Sequence, residues 1–189
     1  IVTGEKVRSL NELPTSRAVL LDLDPAQVAA IAGDALPARV RKQLERFRYG
    51  SGVVKIDYAL HEPVPWTAPA CRRAGTVHLG GRFADIAAAE RAVTTGTLPS
   101  HPFVLVGQQS LCDSTRAPVG SHTLWAYCHV PRGLPAANVD TAVAAIEAQI
   151  ERSAPGFHDV VRVRHVMGPA DFEVHNANYV GGDIGSGAL

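Results

Sequence analysis

The chain has no surplus of either charge: 18 Lys and Arg stand against 18 Asp and Glu in 189 residues. Lysine is rare, and the arginines are spread along the chain rather than gathered. Nucleic acid is disfavoured as the main partner, because phosphate binding needs a concentrated basic face. No apolar run approaches the ~18 residues that cross a bilayer, which excludes a membrane-spanning helix. Cysteine is scarce, and Cys71, Cys112 and Cys128 show no CxxC spacing. The expectation is free thiols in a reducing, cytoplasmic setting, not disulfides or a zinc site. Methionine occurs once, at Met167, and the chain opens on Ile1. The chain therefore reads as an internal piece of a longer protein, with any targeting signal outside it.

Several chemical signatures are also missing. There is no GxSxG, so an α/β-hydrolase nucleophile elbow is excluded. Lys6, Lys42 and Lys55 are followed by neither Ser nor Thr, which removes the P-loop. The eight histidines form no HxH, HExxH or HxxxH pair that would set two ligands on one element. His122 and His129 are an odd number apart on one strand and point to opposite faces. Metal-assisted hydrolysis is a poor fit.

What is present is ordinary globular composition, with 46% hydrophobic and 19% charged residues. The length suits one sizeable core, or a core plus a strip of a neighbouring domain. Ile1 to Val7 reads as a strand, and the apolar run from Arg17 to Leu23 suits a strand buried on both faces. Asp24-Pro25 starts a helix that carries Val28 and Ile31 inward and stops at Gly33. Leu36, Val40, Leu44 and Phe47 share one face of a second helix. Val53 to Leu60 alternates, with Val54, Ile56, Tyr58 and Leu60 on one side and Lys55 and Asp57 on the other.

Further on, Thr76 to Leu79 and Phe103 to Val106 read as short strands flanking a helix marked by Phe83, Ile86, Ala87, Glu90 and Val93. His122 to Val130 alternates again. Leu124, Ala126, Cys128 and Val130 face one way; Thr123, Trp125, Tyr127 and His129 face the other. The aromatic face either packs under a helix or lines a cavity, and alternation alone serves both. Val139, Val143, Ile146 and Ile150 mark a fourth helix, and Val160 to Met167 a last strand. The run from Gly181 to Gly187 is either a loop where backbone approaches a ligand or a flexible tail. These elements give an α+β fold: a mixed, largely antiparallel sheet with helices on one face.

The stretch LPARVRKQLERFRYGSGVVKIDYALHEPVPW (Leu36 to Trp66) resembles the segment of phytoene desaturase-like and flavin amine oxidase proteins that enters the substrate domain. The similarity continues in order through TVHLGG (Thr76 to Gly81), PFVLVGQQSLCD (Pro102 to Asp113) and HTLWAYCHVP (His122 to Pro131). It then takes in IERSAPGF (Ile150 to Phe157), GPADFE (Gly168 to Glu173) and NYVGGDI (Asn178 to Ile184). RAVLLDLDP resembles the family strand and turn that return to the flavin domain.

The resemblance implies the substrate-binding part of an FAD-dependent oxidoreductase that removes hydride from a C–C or C–N bond of an apolar or amphipathic substrate. Residues 1–35 would then edge the FAD-binding domain, 36–170 would form the substrate domain, and 171–189 would return toward the FAD-binding domain. The N-terminal GxGxxG and a C-terminal Gly-rich FAD motif are absent, so FAD is expected in the full-length parent and not in this piece alone. Lys55, in GSGVVK, resembles the amine oxidase strand lysine that reaches through water toward the flavin; Gly52 is an insertion relative to that pattern. Trp125, Tyr127 and His129 are the expected substrate-facing residues, and Gly181, Gly182 and Asp183 the expected cofactor-side ones. The other class of reading is a relative that has lost catalysis and serves as a binding or scaffold protein.

Overall fold

The computed structural model describes residues 1–185 and 187. In chain order the helices are α1 (Pro25–Ala32), α2 (Ala38–Glu45), α3 (Phe83–Thr94), α4 (Gln109–Cys112), α5 (Val139–Ser153), α6 (Phe157–Val160) and α7 (Pro169–His175). The strands are β1 (Gly52–Leu60), β2 (Thr76–Leu79), β3 (Val104–Gly107), β4 (His122–Val130) and β5 (Val161–Met167). They form one five-stranded sheet in the order β2-β3-β4-β1-β5, and every pairing is antiparallel. The fold is α+β.

Both long strands alternate as their sequences dictate. On β1, Val54, Ile56, Tyr58 and Leu60 are buried; on β4 their partners Cys128, Ala126 and Leu124 are buried with Val130. α5 lies over this face with Ala142, Val143, Ile146 and Ile150 turned into it, and Phe157 closes one end. Each large side chain so enclosed is worth about 1.5–3 kcal/mol relative to exposure, so this face supplies most of the cohesion. Polar groups inside it are matched. Trp66 Nε1 donates to Gln108 Oε1 at 2.8 Å, and Gln108 Nε2 donates to the carbonyls of Cys71 and Ala74. Glu147, on the core side of α5, accepts from Arg164 on β5 and from the Tyr58 hydroxyl.

The opposite face carries Val53, Lys55, Asp57, Trp125, Tyr127 and His129, and there only Val53 is fully buried. The helix layer expected on one side is α5 with α6. α3 stands apart from it and leans over the aromatic face, where its Glu90 meets His129.

Two sequence expectations are corrected. Ile1 to Val7 and Arg17 to Leu23 form no strand; they run exposed, with Leu20 at 94%. A continuous apolar run becomes a buried strand only where partner strands meet both its edges, and none reaches it among the described residues. Pro169 at the first position of α7, with Asp171 accepting from the Gly168 N–H at 2.8 Å, starts a helix that the sequence reading passed over. The Asp24 N-cap, by contrast, forms as expected, accepting from the Ala26 N–H at 2.8 Å.

Candidate functional site

The aromatic face ends in a cleft of about 910 Å³, where β1 begins and β4 finishes. Its floor is the cross-strand pair Val53 and His129, with Tyr127 beside them. α3 supplies one wall through Glu90, Val93 and Thr94. Arg48 to Ser51, Arg132 and Asp183 to Gly185 supply the rest, with Gly187.

Asp183 holds this arrangement together. It is 3% exposed; one carboxylate oxygen accepts from the N–H groups of Gly50 (2.6 Å) and Gly187 (2.9 Å), the other from Gly185 (2.8 Å). A buried carboxylate needs such partners to remain charged. The segment that leads into β1 is thereby tied to a segment more than a hundred residues later. Gly181 and Gly182 stand just before it with φ of 67° and 79°, the left-handed region that glycine tolerates, and Gly133 N–H donates to Gly181 O at 2.8 Å. Gly52 permits the approach: a Cβ there would lie 2.6 Å from Gly181 O.

Tyr49 joins a second link. Its hydroxyl donates to Asp24 Oδ1 at 2.6 Å, and the Arg132 guanidinium sits 5.8 Å from the centre of its ring. Burial, reinforced by the hydrogen bond and charge of Asp24, pushes the Tyr49 phenol up to about 12. The other Asp24 oxygen, Oδ2, is buried and has no hydrogen-bond partner among the described residues.

His129 Nδ1 lies 2.7 Å from Glu90 Oε2. The hydrogen bond to Glu90 raises the imidazole above its ordinary value, helped by the charges of Glu90 and Asp183 and opposed by desolvation. On the reverse face, burial pushes the Cys128 thiol up to about 12, so it is held as an unreactive thiol.

The residues singled out from sequence separate here. Trp125, Tyr127 and His129 form a ladder of rings at 6.0 Å steps, Trp125 and Tyr127 stacked at 16°. Tyr127 and His129 line the cleft, whereas Trp125 stands outside it, against Gly107. Lys55 shares their face and pairs across strands with Tyr127, but its ammonium is taken by Asp57 and it does not line the cleft. Asp183 lines the cleft and Gly181 and Gly182 do not. Glu90, Tyr49 and Arg132 were not foreseen as site residues. For Glu90 a signal existed: a carboxylate among the apolar positions of α3 between Ala87 and Val93.

No family model and no curated protein matches the chain. Among solved structures, an oxidoreductase from Methanosarcina mazei is similar at 18% identity and a TM-score of 0.45, over 77% of this chain and 29% of that one. The chain thus spans less than a third of that neighbour's length. No helix among the described residues is long and apolar enough to cross a membrane.

Proposed function

We propose that the chain is the substrate-binding portion of an FAD-dependent oxidoreductase that removes hydride from an apolar or amphipathic substrate. The observation that carries this reading is the cleft itself. A floor of Val53, Tyr127 and His129 meets a rim of backbone and charge brought in by Tyr49 to Ser51, by Asp183 to Gly185 and by Gly187. One side suits a flat apolar body and the other suits polar edges, the usual division in a small-molecule site.

The fit to FAD is at its ring end. The residues that would border the flavin ring are Tyr49 to Ser51 and Asp183 to Gly185, and Val53 and Tyr127 would remain for the substrate. The phosphate end finds no holder in the described residues. The Asp24 carboxylate already caps α1, and the N–H groups of Gly50, Gly185 and Gly187 are taken by Asp183. A pyrophosphate needs such groups free, at a glycine turn opening a helix. FAD therefore belongs to the whole parent, and this chain alone does not retain it.

When bound, the flavin supplies the redox chemistry; the chain supplies substrate shape, exclusion of water and electrostatics. Tyr127 offers a ring for the substrate to lie against, and Trp125 braces it from behind. Lys55 would place a positive charge on the same face, a preorganised field of the kind that stabilises developing negative charge. Gly181, Gly182 and Asp183 would seal the cofactor side.

Purification of the parent protein tests the reading. Stoichiometric flavin absorbance that is bleached by a reducing substrate supports it. Flavin that stays oxidised with every amine and alkene offered favours a binding or scaffold role, and absence of flavin sinks the proposal.

A further inference from the structure

We infer that a second site lies at the far end of α3 from the cleft, and that it binds a terminal phosphate through both its charge and its remaining proton. The inference is independent of the flavin reading. A groove of about 570 Å³ opens where β2 runs into α3, beside the last turns of α5, a volume in the range of small-molecule sites. Its polar lining is His78, Asp85, His101, Gln149, Arg152 and Ser153. None of these lines the cleft, to which α3 gives Glu90, Val93 and Thr94 instead.

The local chain explains why these groups meet. A Cβ at Gly80 would lie 2.7 Å from both Ile86 and Phe103, so only a bare residue lets β2 turn this closely into α3. The His78 ring meets Phe103 at 65°, with centres 5.4 Å apart. Arg152, His78 and His101 have no ion-pair or hydrogen-bond partner among the described residues. Arg152 brings a permanent positive charge on a fork of N–H donors, and each imidazole brings at least one N–H. An oxyanion answers all three.

Two acceptors in the same groove narrow the choice. Gln149 is 8% exposed, and its Nε2 donates to the Pro102 carbonyl at 3.1 Å. A carbonyl takes only a donor, so the amide is fixed this way round, and Oε1 is left without a partner among the described residues. Asp85 Oδ2 accepts from the Arg82 N–H at 3.0 Å and faces the Arg82 guanidinium at 3.5 Å, which leaves Oδ1 open. Both acceptors repel a fully ionised anion; from an anion that keeps a hydroxyl they take a hydrogen bond. Sulfate, carboxylates and phosphodiesters carry no such hydrogen near neutral pH. A phosphate monoester does, because its second ionisation falls at about pH 6. An amino acid would give its carboxylate to Arg152 and its ammonium to the two acceptors, but would leave both imidazoles unanswered. The ligand class is therefore a protonated phosphate, free or as the end group of a small organic monoester.

Amide and imidazole NMR of the chain at about pH 6 reads the site directly. Methyl phosphate should shift the Gly80, Gly81 and Ser153 amides and the ring signals of His78 and His101. Sulfate controls for charge and dimethyl phosphate for shape. Each should bind at least about tenfold more weakly, the cost of one unmet hydrogen bond to a charged group. Arg152→Gln, at an exposed side chain, should weaken methyl phosphate by a similar factor and leave the fold intact. Phenyl phosphate binding more tightly than inorganic phosphate assigns the site to an organic monoester; equal or weaker binding assigns it to the free ion. The proposal is overturned if sulfate or alanine binds as tightly as methyl phosphate, or if no phosphate moves these signals. Wild-type affinity for methyl phosphate in Arg152→Gln overturns it as well.

Discussion

Gly107 on β3 faces Trp125 on β4, and the indole fills the space that a side chain at 107 would need: a Cβ built there would stand 2.3 Å from Trp125 Cε2. The strands can pair at this point only because residue 107 has no side chain. The glycine thereby sets the position of the ring on which Tyr127 stacks.

Gly107→Ala should displace the indole and destabilise the chain by about 1–3 kcal/mol, the usual cost of overpacking. Urea unfolding followed by tryptophan emission reads both effects. An unchanged midpoint with unchanged emission would mean that the ring swings aside freely.

Asp183→Asn replaces one accepting oxygen with an NH₂ group that meets a backbone N–H head-on. Loss of that bond should cost about 1–3 kcal/mol and should loosen the tie between Gly50 and the return segment. Amide exchange at Gly50, Gly185 and Gly187 should accelerate, while exchange in the middle of β4 stays slow. Protection at Gly50 equal to wild type would remove Asp183 from its place as the clasp of the cleft.

The His129–Glu90 pair makes stability depend on pH in a defined direction. The folded imidazole titrates above its ordinary value of 6.5, so the pair's contribution is complete below that value and is lost as pH rises through the folded pKa. Urea midpoints of the wild type and Glu90→Gln should therefore differ most in mild acid and converge in alkali. Two parallel curves across that range would show that the imidazole does not charge against Glu90.

Lys55→Met should leave the fold within about 1 kcal/mol of wild type, because the Lys55–Asp57 pair is partly solvated. In the flavin-loaded parent, the same change should slow flavin reduction or reoxidation well beyond that structural effect. Rapid mixing under anaerobic and then aerobic conditions measures both half-reactions. Equal rates in both would reduce Lys55 to a partner of Asp57.

Much of the sheet was legible because period-two patterning is a local property. Val54 to Leu60 and Leu124 to Val130 name their own buried faces, and His122–Val130 occurs as read. The apolar spacing of Val139, Val143, Ile146 and Ile150 likewise fixed α5 and its inward face. Arg17 to Leu23 misled because continuous hydrophobicity reports a wish for burial without saying which strands satisfy it. The site was less legible for a related reason. Tyr127 and His129 announce a face, but Asp183 acquires its meaning from Gly50, and Glu90 from His129, contacts that join distant parts of the chain. No spacing encodes them. Alternation put Lys55 and Asp57 on one face, and the ion pair between them follows from that.

The place of β1 between β4 and β5 has a consequence for how the molecule comes into being. A ribosome releases β1 early, yet β4 starts at His122 and β5 ends at Met167, more than a hundred residues after Leu60. At roughly 5–20 residues per second, the segment Gly52–Leu60 waits several seconds or more with both edges unpaired. Until β4 arrives this strand is open to misassociation, and a chaperone that shields short apolar segments would find a client here.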